Sequence, residues 1–215
     1  MRKADFCGII MGFCMLLASL LPTQFLSAET AAVVKLLPPD QSGGQALMLT
    51  MQQRHTSRQM AEEALSDQQL SDLLWAAGGI NRPEEGKATV PIMKPGSDLI
   101  IHVMLPEGLY LYDPLKNELA LIQAGDHRAA AAGPQAFAAK APVNVILSSG
   151  QKNELAAGVI VGHSSQNIYL YCASAGLNAV TRMTMDRQAM QNLLKLPEGQ
   201  RPLLVLTVGP RPKAD

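Results

Sequence analysis

The run Leu203-Leu204-Val205-Leu206-Thr207-Val208 constrains this chain most. It is apolar almost throughout, so as a strand it has no face to give to water and belongs in the middle of a sheet. The remaining sequence must then supply neighbouring strands and covering helices. Residues 98–105 form an apolar, β-branched run, and residues 108–112 form a second one beyond Pro106-Glu107. Tyr110 and Tyr112 alternate there with Leu109 and Leu111, which reads as a strand with two distinct faces. Asn117 marks a further turn before residues 119–122, so a meander is predicted. Residues 143–147 give another short strand.

Helical patterns lie between these runs. Leu65-Ser66-Asp67 offers a helix start, and Leu70, Leu73, Leu74 and Ala77 follow at spacings of three and four, with Gly78 and Gly79 as the stop. An earlier helical stretch begins over residues 46–51 and runs through Gln52 and Gln53 into Arg54. The alanine-rich residues 129–139 predict one or two short helices broken by Gly133 and Pro134. Residues 164–175 predict a longer helix ending at Gly176, capped by His163. It is apolar nearly all round and therefore buried, in a core or across a subunit interface. Asp186 caps a last helix that ends near residues 194–196. Strands and helices interleave without a regular strand-helix-strand rhythm, which indicates α+β rather than a doubly wound sheet.

Composition narrows the function. Lysine plus arginine and aspartate plus glutamate both number 18, so the net charge is zero. No basic excess exists to hold nucleic acid. At 47% hydrophobic residues the chain is not a disordered, charge-extended one. Arg2 and Lys3 precede residues 7–21, which contain no charge, and the small residues Ser27 and Ala28 follow. This is the pattern of a secretory signal over residues 1–28, which predicts an exported protein, periplasmic or extracellular, with no membrane contact after cleavage. An uncleaved N-terminal anchor is the alternative. Cys7 and Cys14 leave with the signal, so Cys172 has no partner for an internal disulfide. Residues 29–44 read as extended, with Pro38, Pro39, Gly43 and Gly44 as breakers.

The polar cluster Arg54-His55-Thr56-Ser57-Arg58 carries the most chemistry. If helical, Arg54 and Arg58 lie four apart on one face, beside a hydroxyl and an imidazole. Such a set suits a dianionic phosphate. It also suits a solvated helix end, where cations meet the dipole. His102 lies inside a strand with no partner in sequence, and His127 stands between Asp126 and Arg128 in a turn or cap. No pair of histidines has metal-ligand spacing. Cys172 falls mid-helix and reads as an inert core thiol.

The order of these segments resembles the nitroreductase superfamily, and within it the small exported branch related to azoline-forming dehydrogenases of the SagB type. Arg54-His55-Thr56-Ser57-Arg58 is similar to the family's opening signature. Leu70-Ser71-Asp72-Leu73-Leu74-Trp75-Ala76-Ala77, Gly79-Ile80-Asn81-Arg82-Pro83 and Gly108-Leu109-Tyr110-Leu111-Tyr112-Asp113-Pro114 match the branch. Gln166-Asn167, Gly176-Leu177 and Gly209 complete the series.

The resemblance implies a nitroreductase-like α+β sandwich over residues 45–212, with a central, mostly antiparallel sheet flanked by helices. It implies a homodimer holding FMN at the subunit interface and exchanging electrons between a small-molecule donor and acceptor. It assigns the flavin phosphate to Arg54, His55, Thr56 and Arg58. Met183 and Thr184 fall where the family offers a backbone amide to the flavin ring. No catalytic side chain is named, because hydride transfer through a flavin needs no side-chain acid or base. One segment departs from the pattern. Where the family has Pro-Ser-x-x-Asn-x-Gln, this chain has Pro91-Ile92-Met93-Lys94-Pro95-Gly96-Ser97, which motivates a second expectation, a degenerate relative without flavin serving as a binding or structural protein.

Overall fold

The computed structural model describes residues 32–92 and 98–213. The expected signal over residues 1–28 and most of the departing segment, residues 93–97, lie outside the described residues. The frame is a seven-stranded sheet in the order β1-β6-β5-β4-β7-β9-β8, with every neighbouring pair antiparallel. Its strands are β1 (Val33–Lys35), β4 (Ile100–Leu105), β5 (Gly108–Asp113), β6 (Glu118–Ala124), β7 (Val143–Ser149), β8 (Leu177–Arg182) and β9 (Arg201–Pro210). A separate short pair joins β2 (Ile80–Arg82) to β3 (Lys87–Ala88). The helices are α1 (Leu47–Gln53), α2 (Asp67–Gly78), α3 (Arg128–Ala132), α4 (Phe137–Lys140), α5 (Glu154–Ser174) and α6 (Arg187–Leu193).

The meander β4-β5-β6 forms as its turn residues predict, and Asn117 takes a left-handed backbone (φ 53°). This conformation is least costly for glycine, asparagine and aspartate. Helix α2 starts on a complete capping box. Ser66 accepts from the Gln69 N–H, and the Gln69 side chain accepts from the Ser66 N–H. At its other end a Cβ on Gly78 would stand 2.9 Å from Ile101 Cδ1, so the small residue lets the helix close onto β4.

Strand alternation sorts the core into two layers. Ile101, Val103, Val145, Leu147, Leu206 and Val208 point to the face covered by α2 and α5. Met104, Ile146 and Val205 point the other way, against Ala131 of α3 and against Met190 of α6 with the Leu194 that follows it.

Three features differ from the sequence reading. Strand β9 is interior but only one place from the edge, because β8 lies outside it. The composition of β8, Leu-Asn-Ala-Val-Thr-Arg, shows neither alternation nor a β-branched run. Helix α5 starts ten residues earlier than residue 164, where Asn153 caps it by accepting from the Ala156 N–H at 3.0 Å. His163 is therefore mid-helix and exposed rather than a cap. Finally, α1 stops at Gln53, and Arg54 already has extended backbone (φ −60°, ψ 118°). Residues 54–58 are not helical, so Arg54 and Arg58 do not share a helix face.

Candidate functional site

The extended segment after α1 runs along β8. The Ser57 N–H donates to the Ala179 carbonyl at 3.0 Å, and the Asn178 side chain donates to the Gln59 carbonyl at 2.6 Å. The Ala61 N–H donates to the Pro210 carbonyl at 3.0 Å. The Ser57 contact satisfies an Ala179 carbonyl that an outer strand would otherwise leave unpaired, and the segment covers β8, which is buried although it ends the sheet.

Tyr169 of α5 organises this corner. Its hydroxyl accepts from the Thr181 N–H at 2.8 Å and pairs with Thr56 Oγ1 at 3.1 Å. The Arg54 guanidinium lies over the same ring, 5.2 Å from its centre. His55, Tyr169, Ala179 and Arg211 border one small cleft. The His55 Nδ1 lies 2.8 Å from the Gln53 carbonyl, which leaves Nε2 for other partners. Among the described residues Arg54, Arg58 and Arg211 have no carboxylate partner. The structure therefore brings Arg54, His55 and Thr56 together around Tyr169, with the exposed Arg58 next along β8.

Met183 and Thr184 follow the end of β8, two and three residues beyond the Thr181 amide that Tyr169 holds. Met183 is 64% exposed. The Thr184 carbonyl lies where a Cβ on Gly133 would come within 2.7 Å, so the glycine before Pro134 is needed for that approach. The strand end is held by Arg182, which is buried without a carboxylate. Its guanidinium donates to Thr207 Oγ1 (3.0 Å), the Ala132 carbonyl (3.0 Å), the Ala131 carbonyl (2.9 Å) and Asn144 Oδ1 (3.3 Å). Burial pushes its pKa down to about 10.

Sequence reasoning missed Tyr169 and Arg211, and placed Arg182 only in the segment Arg182-Met183-Thr184 without its buried side-chain network. A tyrosine inside an apolar helix was the available signal, since a buried phenol needs a hydrogen-bond partner. Arg211 stands after the last strand with no motif around it. Cys172 is fully buried, and burial pushes its thiol pKa up, as a core thiol requires.

Comparison with known proteins agrees with this architecture. A family model described as the nitroreductase family matches residues 51–210. A nitroreductase-named protein of Methanocaldococcus jannaschii is 30% identical over 174 residues, covering 73% of this chain and 86% of that protein. A crystal structure from Ralstonia eutropha JMP134, described as a nitroreductase, superposes with a TM-score of 0.78 at 33% identity, covering 86% of this chain and 92% of that one. The Escherichia coli microcin synthetase complex shares the fold alone, with a TM-score of 0.61 at 13% identity over 84% of this chain and 79% of that one. Fold and segment order thus define an oxidoreductase of the nitroreductase fold. The chain belongs to the nitroreductase family.

Proposed function

We propose that this protein is an exported, FMN-dependent oxidoreductase that works as a homodimer, passing electrons from a small-molecule donor to a small-molecule acceptor. The observation that carries the reading is the set of Arg54, His55, Thr56 and Arg211 around Tyr169, with cations that no carboxylate of the described residues neutralises. A phosphate monoester wants such charge-assisted donors. In charge and donor type the residues suit the group.

When bound, flavin mononucleotide supplies two-electron transfer chemistry. The protein's own residues hold and orient. Arg54, His55, Thr56 and Arg58 would grip the phosphate end, with Arg211 beside them. Tyr169 fixes Thr56 through its hydroxyl and Arg54 through its ring. Met183 and Thr184, two and three residues beyond the Thr181 amide that Tyr169 holds, would offer their main chain to the ring of the ligand. The Arg182 network keeps that main chain in place.

The dimer reading rests on apolar surface. On α1, Leu47, Met48, Leu49 and Met51 are exposed, and on α5 Leu155 and Val159 are exposed beside Gly158 and Gly162, whose Cα atoms face open space. An apolar area of this kind fits an interface between copies. Export rests on the charge pattern of residues 1–28.

A second reading keeps the fold without the flavin. It is favoured by Ile92, an apolar side chain packed against the core where the family pattern has a serine. The double variant Arg54→Ala/Arg58→Ala separates the two. If both guanidinium groups lie on the phosphate, FMN affinity falls by more than about tenfold, since a hydrogen bond to a charged group contributes about 1.5–3 kcal/mol. Unchanged affinity in a folded double variant would sink the assignment.

A further inference from the structure

A cleft that the flavin reading does not use opens where the segment before α1 packs against α2 and the C-terminal end of α5. Its volume is about 440 Å³, within the range of small-molecule sites. The segment is fastened to both helices. The Asp40 N–H donates to Asp72 Oδ1 at 2.8 Å, and the Gln45 N–H donates to Ser174 Oγ at 2.7 Å. Gly44 has a left-handed backbone (φ 93°), and a Cβ there would stand 2.7 Å from Ser174 Oγ, so the close approach needs the glycine. The half-buried rings of Trp75 and Tyr171 line the space. The Trp75 indole N–H is already given to the Ile80 carbonyl at 3.0 Å, which leaves its π-face for a ligand.

The charge in this cleft has one sign. Asp40 and Asp72 line it, and among the described residues no lysine, arginine or histidine does. Neither carboxylate has an ion-pair partner among the described residues. Asp40 Oδ1 accepts from the Ser42 N–H, the Ser42 hydroxyl and the Gly43 N–H, which hold the carboxyl below its ordinary pKa and so keep it charged. Asp72 Oδ1 accepts from the Asp40 N–H and the Gln68 side chain, both at 2.8 Å. Burial and the negative charges of Asp72 and Asp40 push the Tyr171 hydroxyl up in pKa, so it stands beside them as a neutral phenol. Ser174 and Ala175 line the cleft at the negative end of the α5 dipole, and no basic residue stands in the last turn of that helix. A metal ion is not what this set holds, because among the described residues no three acidic, histidine or cysteine groups gather closely enough. Two aromatic rings beside two carboxylates suit an organic cation instead.

We propose that this cleft binds a small organic cation, a protonated amine on an apolar body, with the ammonium held by Asp72 and Asp40 and the body packed on Trp75 and Tyr171. The site is separate from the Arg54 corner. Tyr169 of that corner and Tyr171 of the cleft are two positions apart on α5, about 200° around the helix axis. Leu47 is the one lining residue that also belongs to the apolar surface assigned to the dimer. The proposal stands whether or not flavin is bound.

Trp75 is the only tryptophan of the chain, so tryptophan fluorescence reads this cleft directly. The test is fluorescence titration of the full chain, at neutral pH and low salt, with cyclohexylmethylamine, which is protonated there, and with its neutral isostere cyclohexylmethanol. The expected result is a change in Trp75 emission with the amine and a preference for it of about tenfold or more, because hydrogen bonds to charged groups are the stronger class. Asp72→Asn keeps the shape and the acceptor for the Asp40 N–H while removing the charge. It weakens the amine about tenfold and leaves the alcohol within about twofold. Equal affinities in the unmodified chain, no response of Trp75 to the amine, or an amine affinity unchanged in Asp72→Asn would overturn the proposal. If Asp72→Asn fails to fold, Asp40→Asn at the exposed carboxylate decides. A several-fold loss of amine affinity there supports the site, and an unchanged affinity overturns it.

Discussion

Replacing Tyr169 by phenylalanine isolates the contact that joins fold to site. The ring stays, and with it the stacking of Arg54 at 5.2 Å. The hydroxyl goes, and two partners lose it, the Thr181 N–H at 2.8 Å and Thr56 Oγ1 at 3.1 Å. Thr181 lies on the edge strand, so its amide has no ladder partner on that side. Thr56 is exposed and can turn to water. The cost is therefore dominated by one half-buried amide left unpaired, about 2 kcal/mol within the usual range of 1–3. For a urea slope of about 2 kcal/mol per molar, the unfolding midpoint drops by about 1 M. FMN affinity weakens only a few-fold, because the guanidinium groups remain and only the placement of Thr56 is lost. Equilibrium urea unfolding followed by circular dichroism checks the first number and flavin fluorescence quenching the second. A midpoint within 0.2 M of the unmodified protein would refute the reasoning, since the edge of β8 would then not depend on α5.

Three further outcomes follow from the same geometry. Arg182→Met leaves the Ala131 and Ala132 carbonyls and the Asn144–Thr207 pair without their donor, and destabilises the protein by about 3 kcal/mol or more in urea unfolding. Acid weakens the protein through His102. Its pKa is about 4 when folded against 6.5 as the ordinary value, so the unfolded state binds the proton first. The His102 contribution is fully present above pH 6.5 and is lost as pH falls toward 4, about 3 kcal/mol in all. His102→Leu removes that part of the slope, and the difference between the two pH profiles isolates it from the carboxylates. Ser66→Ala breaks the capping box of α2 and lowers stability by about 1 kcal/mol, read as a fall in melting temperature.

Much of the fold was legible because local chemistry and tertiary structure agree. Ser66, Asp186 and Asn117 sit where their side chains satisfy backbone at a helix start or tolerate a left-handed turn, so composition alone located them. Strand β8 was not legible, because it is held by pairing with β9 on one side and by residues as far as 119 positions away on the other, with Asn178 bonded to Gln59. The first ten residues of α5 escaped for a related reason. Gly158 and Gly162 lower helix propensity there, and the helix is held by packing along Ala157, Ile160 and Val161. At the site, the cluster of residues 54–58 was visible as charge, but its geometry was not. A helix would have set Arg54 and Arg58 side by side, whereas the segment is extended and the Ser57 amide serves β8. Tyr169, the residue that gathers Arg54 and Thr56, is brought there by the fold from 113 residues further along the chain.

The visible absorption spectrum of the purified protein, titrated with flavin mononucleotide, tests the central claim most directly. The account predicts a yellow protein that releases about one flavin per chain on denaturation, with binding lost in Arg54→Ala/Arg58→Ala. A colourless, folded protein whose spectrum is unchanged by added flavin would contradict it and leave an oxidoreductase fold without its cofactor.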